Sequence, residues 1–68
     1  MSEEAKKLGK NLKRIRTKKG ISQGDIVKIL DMPKSFVSSI ENGKTNPTLA
    51  TIAKLAKAIG VSVGELMK

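Results

Sequence analysis

Sixty-eight residues leave room for one small domain, spanning 1–68, whose folding buries only about 60% of the unfolded surface. The chain has no Cys and no His, which removes disulfides, thiolate and imidazole metal sites, cysteine nucleophiles and the Ser-His-Asp triad. Fourteen Lys and Arg against six Asp and Glu leave a net charge of +8, a field that draws in polyanions.

Eight of the cations and two of the acids fall within residues 1–20, so the positive charge concentrates in the first predicted helix. No apolar run exceeds two residues, against the roughly 20 of a membrane span, and neither a transmembrane helix nor a signal peptide is expected. Gly, Pro and Asn punctuate the chain at intervals suited to five short helices, with no repeat or linker between them.

The first helix is predicted over about 3–19, with Ser2 as N-cap, Glu3 and Glu4 in the first turn, Lys18 and Lys19 in the last, and Gly20 as its stop. Ala5, Leu8, Leu12 and Ile15 form its apolar stripe, with Lys6, Lys7, Lys10, Lys13 and Arg14 off it. A second helix over 23–30 follows from the capping-box spacing of Ser22 and Asp25 and the staple spacing of Ile21 and Ile26. Asp31, Met32 and Pro33 make a turn, with Pro33 suited to the first position of a third helix over 34–42 that ends at Gly43. Asn42-Gly43 is also a hairpin signal, but Phe36, Val37 and Ile40 before it and Leu49, Ile52, Ala53, Ala56 and Ile59 after it keep helical period. Thr48 caps a fourth helix over 49–59, closed by Gly60. Ser62 with Glu65, and Val61 with Leu66, repeat the box and staple for a fifth over 63–67.

On a helical wheel Phe36, Val37 and Ile40 share one arc of the third helix, and Lys34, Ser35, Ser38, Ser39 and Asn42 fill the opposite one. That outer face carries short donors and acceptors, one cation and no carboxylate, a composition able to approach base edges and phosphates; a solvated Ser-rich face is the alternative. Glu41 lies at the edge of the apolar arc and Arg16 within the stripe of the first helix. Charges so placed are tolerated when paired, which predicts an Arg16–Glu41 salt bridge between helices one and three, unless both snorkel to solvent separately. Gly43-Lys44-Thr45 has the ending of a phosphate-binding P-loop, but Ser38 stands where the motif needs Gly and no strand precedes it, so nucleotide binding is not expected. Lys44, Thr45 and Asn46 form instead a polar loop beside the Ser-rich helix, and Gln23 stands at the positive end of helix two. Ordinary turn and helix-start chemistry accounts for these two sets equally well.

The runs Gly20-Ile21-Ser22-Gln23, Ser35-Phe36-Val37-Ser38-Ser39-Ile40-Glu41-Asn42-Gly43-Lys44, Asn46-Pro47-Thr48-Leu49 and Ala58-Ile59-Gly60-Val61-Ser62 resemble, in order and spacing, the Cro/CI-type helix-turn-helix family of phage repressors, from about Leu8 to Leu66. The resemblance implies an all-α, lambda-repressor-like five-helix bundle in which helices two and three form the helix-turn-helix and helix three enters the major groove of double-stranded operator DNA. It implies base reading by Lys34, Ser35, Ser38, Ser39 and Gln23, and phosphate contacts by Gln23, Asn42, Lys44, Thr45 and Asn46. It also puts Arg16 and Glu41 where the family has a buried salt bridge. Three residues depart from the pattern: Val27 stands for the usual Ala between helices two and three, Asp31 for the Gly of the turn, and Pro33 for the Ser cap of helix three. Asp31 tolerates a left-handed backbone at some cost, and Pro33 leaves the first amides of helix three to Asp31, water or a phosphate.

The function implied is a sequence-specific transcriptional regulator, a repressor acting by occupancy in the cytoplasm and on the nucleoid, as a homodimer on an inverted repeat. It implies no enzymatic activity, metal or cofactor. Val61, Val63 and Met67 are the candidate dimer surface, or else cover the bundle's own core. A protein-interaction module of the antitoxin type, and a basic membrane or polyanion binder, are the competing functions. The absence of an extra segment argues against the first, and the spread of cations around the stripe argues against the second.

Overall fold

The computed structural model describes residues 2–68. Five helices follow one another: α1 Glu3–Lys18, α2 Gln23–Leu30, α3 Lys34–Glu41, α4 Leu49–Ile59 and α5 Val63–Met67. None of the described residues is in a strand. The start signals act locally. Ser2 accepts from the Ala5 amide, Thr48 from the Thr51 amide, and Ser22–Asp25 and Ser62–Glu65 close reciprocal capping boxes. Each satisfies amides that a helix start leaves without partners.

Two helix ends fall one residue short of expectation. Lys19 and Asn42 are C-caps rather than helical residues, because the chain must begin turning before the left-handed Gly20 and Gly43. Pro33 is the N-cap of α3 instead of its first residue, with ψ of 143°. No side chain caps α3, so Asp31 does not serve its first amides. Asp31 itself ends α2 at φ 51°, ψ 51°, the one non-glycine residue of positive φ among those described.

Packing gathers Leu8, Leu12 and Ile15 of α1, Ile26 of α2, Val37 and Ile40 of α3, Ile52, Leu55, Ala56 and Ile59 of α4, and Leu66 of α5 into one core. Val27 and Phe36 pack against it half-buried. The buried side of α4 is rotated from the expected stripe. Leu49 and Ala53, four residues apart on one edge, are exposed, and Leu55 on the other edge is buried. Periodicity locates an arc only to within its edges.

Two polar side chains, one from α1 and one from its C-cap, complete the bundle by capping other helices. Lys19 Nζ donates to the Ile59 carbonyl at 2.9 Å, and Asn11 Nδ2 to the Leu66 carbonyl at 2.7 Å. Both serve carbonyls at helix C-termini that lack intrahelical donors.

Gly9 sets the distance between α1 and α3. A Cβ at Gly9 would lie 2.4 Å from the Ile40 carbonyl oxygen and 2.6 Å from that of Glu41. No other residue lets the two backbones approach so closely.

Candidate nucleic-acid interface

An eight-residue helix is unstable in isolation, so α3 owes its conformation and its pose to what holds its inner face. Val37 and Ile40 anchor it in the core, and Glu41 is buried beside them. Arg16 Nε donates to Glu41 Oε2 at 2.5 Å and Arg16 Nη2 to Oε1 at 2.9 Å. This two-point pairing of guanidinium and carboxylate fixes orientation as well as distance. Arg16 Nη1 reaches the Ile21 carbonyl at 3.1 Å, and Gln23 Nε2 donates to Glu41 Oε1 at 2.9 Å. One carboxylate on α3 therefore ties together α1, the turn after it and the start of α2.

Burial pushes the Glu41 carboxyl up, but the hydrogen bonds from Arg16 and Gln23, with the charges of Arg16 and Lys13, outweigh it. The group is held below its ordinary value. The bond to Glu41 in turn raises Arg16 against the opposing effect of burial. Asp25 is lowered by its hydrogen bonds from the Ser22 backbone and side chain.

The outer face of α3 is polar and open. Lys34, Ser35 and Asn42 are exposed, and Ser38 and Ser39 are half-buried. Asn42 Nδ2 donates to Ser38 Oγ at 3.4 Å, one turn back. No carboxylate shares this face, since Glu41 is turned inward.

The helix ends tightly, with the Gly43 amide on the Ile40 carbonyl at 3.1 Å and the Lys44 amide on the Ser39 carbonyl at 2.9 Å. Gly43 has φ of +69°, and a Cβ there would lie 3.1 Å from Lys6 Cα. Its conformation requires glycine, and a Cβ there would press tightly on α1. The turn delivers Lys44 and Asn46 exposed and Thr45 half-buried, directly beyond the C-terminus of α3. Ser2 Oγ donates to Asn46 Oδ1 at 3.1 Å, fastening this loop to the start of α1.

Gln23 is half-buried and not a free side chain. A carboxylate only accepts, so the bond to Glu41 must use the amide nitrogen. One Nε2 hydrogen and Oε1 remain for other partners. The contribution of Gln23 to the network was not evident from its place at a helix start.

Val61, Val63 and Met67 lie half-buried against the core. The large exposed apolar side chains are instead Ile29, 59% exposed, and Leu49, 71%. A cleft of about 530 Å³ between α1 and α5, flanked by Arg14, Lys18 and Lys68, takes no residue from α2 or α3. Among the described residues no group of three acids converges as a metal site, and no helix is long and apolar enough to cross a membrane.

A helix-turn-helix family model matches residues 12–66. The chain belongs to the Cro/CI-type helix-turn-helix family. It is 39% identical over 62 residues to y4dJ of Sinorhizobium fredii, named an uncharacterized HTH-type transcriptional regulator, covering 91% of this chain and 80% of that one. Its fold is similar to that of the restriction-modification controller protein C.AhdI from Aeromonas hydrophila. The TM-score is 0.87 with 34% identity, over 96% of this chain and 98% of the other. The tetramer of the controller protein C.Esp1396I, solved with its natural 35 base-pair operator, matches with a TM-score of 0.83 and 25% identity over the whole of both chains. The Cro/CI-type unit also occurs within longer regulators, this chain spanning 35% of one to which it is 37% identical over 65 residues.

Proposed function

We propose that the chain is a sequence-specific DNA-binding transcriptional regulator that acts as a homodimer on an inverted-repeat operator, with α3 in the major groove. The observation that carries this is the outer face of α3. Its short donors and acceptors stand free of carboxylates, on a helix whose inner face is locked by Glu41 and whose exit is a polar loop. Lys34, Ser35, Ser38 and Ser39 read base edges, and Asn42, Lys44, Thr45 and Asn46 hold phosphates. Gln23 contributes its remaining Nε2 hydrogen to a phosphate and Oε1 to a base donor, held in place by Glu41.

Full-length similarity to controller proteins, one of them solved as a tetramer on its operator, supports action by occupancy of DNA, without chemistry. Pairing through Val61, Val63 and Met67, with the half-sites about 34 Å apart, matches one turn of duplex. Repression is the simplest outcome of such occupancy, and the cytoplasm, with the nucleoid, is the place for it. A protein-interaction module of the antitoxin type is the weaker alternative.

Selection from random duplexes at physiological salt with competitor DNA tests the proposal. Enrichment of an inverted repeat with half-sites about one helical turn apart is the expected result. Retention without any motif would overturn it.

A further inference from the structure

Between Glu4 and Asp25 the sequence has eight cations and no acid. Arg16 is consumed by Glu41 and Lys19 by the Ile59 carbonyl; the other six, Lys6, Lys7, Lys10, Lys13, Arg14 and Lys18, are all exposed on α1. The ion pair found among the described residues is Arg16–Glu41. Cations three and four residues apart on a helix repel one another, so this face is unfavourable for the isolated bundle and favourable beside an anion.

The cations are not evenly useful. At 100° per residue Lys6, Lys10 and Lys13 fall, with Thr17, in an arc of about 60°, and this arc borders α3. The Lys6 backbone packs against Gly43, just beyond the C-terminus of α3. The Lys13 charge is near enough to help lower the Glu41 carboxyl. The start of α1 is bonded through Ser2 to Asn46 in the proposed phosphate-contacting loop. A shallow concavity of about 500 Å³ opens along the same side, walled by Lys10, Lys13, Arg14, Thr17 and Lys18.

We infer that Lys6, Lys10 and Lys13 form a second phosphate-binding rail, which holds the backbone of duplex flanking the sequence read by α3. The inference rests on the reading of α3 as the DNA-facing helix and extends its footprint. Lys6 and Lys13 are about 10 Å apart along the helix axis, the axial rise of roughly three phosphates of one strand. The charge is continuous with Lys44 at one end of the rail. A protein partner would need apolar anchors on the face, and the large exposed apolar side chains lie on α2 and α4. A membrane surface would need the apolar stripe of α1, which is buried in the core.

The test measures binding of the full chain to fluorescent duplexes across a salt series. One duplex is trimmed to the half-sites obtained by selection, and the other carries the same sites within about 40 arbitrary-flanked base pairs. The rail variant is Lys6→Gln, Lys10→Gln, Lys13→Gln. The control is Lys28→Gln, Lys54→Gln, Lys57→Gln, which removes the same charge from exposed positions on α2 and α4. On the long duplex the rail variant is expected to lower the salt slope by roughly 2–3 units per bound protomer, with the same base preference and a melting temperature no lower than that of the unmodified protein. On the trimmed duplex its slope should equal that of the unmodified protein, and the control should change little on either. Equal slope losses from the two variants, or a rail loss undiminished on the trimmed duplex, would overturn the inference while leaving α3 as the reader. Should selection yield no motif, the reading of α3 fails, and the two variants are compared on arbitrary duplexes of about 40 base pairs. There a larger slope loss for the rail variant supports the rail, and equal losses overturn it.

Discussion

Replacing glycine by alanine inside a helix normally stabilises it by about 0.5–1 kcal/mol, because glycine loses the most backbone freedom on folding. Gly9→Ala is predicted to do the opposite. The new methyl would sit 2.4 Å from the Ile40 carbonyl oxygen and 2.6 Å from that of Glu41. Both are backbone atoms of a packed helix end, so α3 must recede bodily from α1 to make room. Overpacking of this kind costs about 1–3 kcal/mol, and strain on the Arg16–Glu41 pairing across the same interface adds to it. After the propensity gain, a net loss of roughly 2 kcal/mol remains, against a total near 3–10 kcal/mol for a chain of this size. At about 4–8 °C per kcal/mol the melting temperature should fall by about 10 °C or more. Gly24→Ala is the matched control: its Cβ would meet only Ser22 Oγ, at 3.5 Å, and should raise stability by up to about 0.5 kcal/mol. Circular dichroism melts of the two variants decide it. A Gly9→Ala protein that melts at or above the parent temperature would refute the close approach of α1 and α3.

Asp31 ends α2 in a left-handed conformation and places a carboxylate at the negative end of the helix, so Asp31→Asn or Asp31→Gly should stabilise by roughly 0.5–1 kcal/mol in denaturant titrations. In a double-mutant cycle Arg16→Ala and Glu41→Ala should each cost about 2 kcal/mol, below the 3–5 kcal/mol of fully buried pairs because the Arg16 side chain remains 13% exposed. Their coupling should be about 1 kcal/mol, and strict additivity would contradict the observed pairing. The lowered Glu41 carboxyl contributes stability that is complete above its ordinary value of 4.5 and is lost as pH falls through its lower folded value. Melts between pH 6 and 2 should therefore show a decline starting below about 4.5 that Glu41→Gln flattens. For DNA, Lys34→Ala should weaken binding and alter base preference, whereas Lys44→Ala should weaken all duplexes alike and reduce the salt slope by about one. Identical effects of both on selected and random sequences would remove the division between reading and positioning.

The features legible in the sequence are those whose physics is local. Ser22 with Asp25, and Ser62 with Glu65, announce helix starts because the reciprocal bonds close within four residues. The stripe of Leu8, Leu12 and Ile15 announces a buried face because it repeats on one helix. Arg16 and Glu41 were legible as a pair because each violates its own stripe. Gly9 was not legible as a contact, since nothing near it in sequence distinguishes a glycine made necessary by Ile40 and Glu41 from a tolerated one. Its only signal is a poor helix former in mid-helix. Nor were Lys19 and Asn11 legible as caps, for their carbonyl partners lie 40 and 55 residues away. Leu49 and Leu55 exchanged places because a wheel gives the direction of an arc and leaves its edges to tertiary packing.

The same division accounts for how a family fold can carry many specificities. Everything that fixes the pose of α3 acts on its inner side or its ends: Val37 and Ile40 in the core, Glu41 on Arg16 and Gln23, Gly9 and Gly43 against α1. Nothing on the outer face contributes comparably; the bond from Asn42 to Ser38, at 3.4 Å, joins two residues of the same turn and fastens α3 to no other helix. Lys34 and Ser35 are therefore free to change without loss of the fold, since exposed substitutions away from caps and packed contacts usually stay within about 0.5 kcal/mol. Gln23 is the exception. It belongs to the inner network through Nε2, and in the proposed complex its Oε1 faces DNA, so a change there should move stability and recognition together, which a change at Ser35 should not.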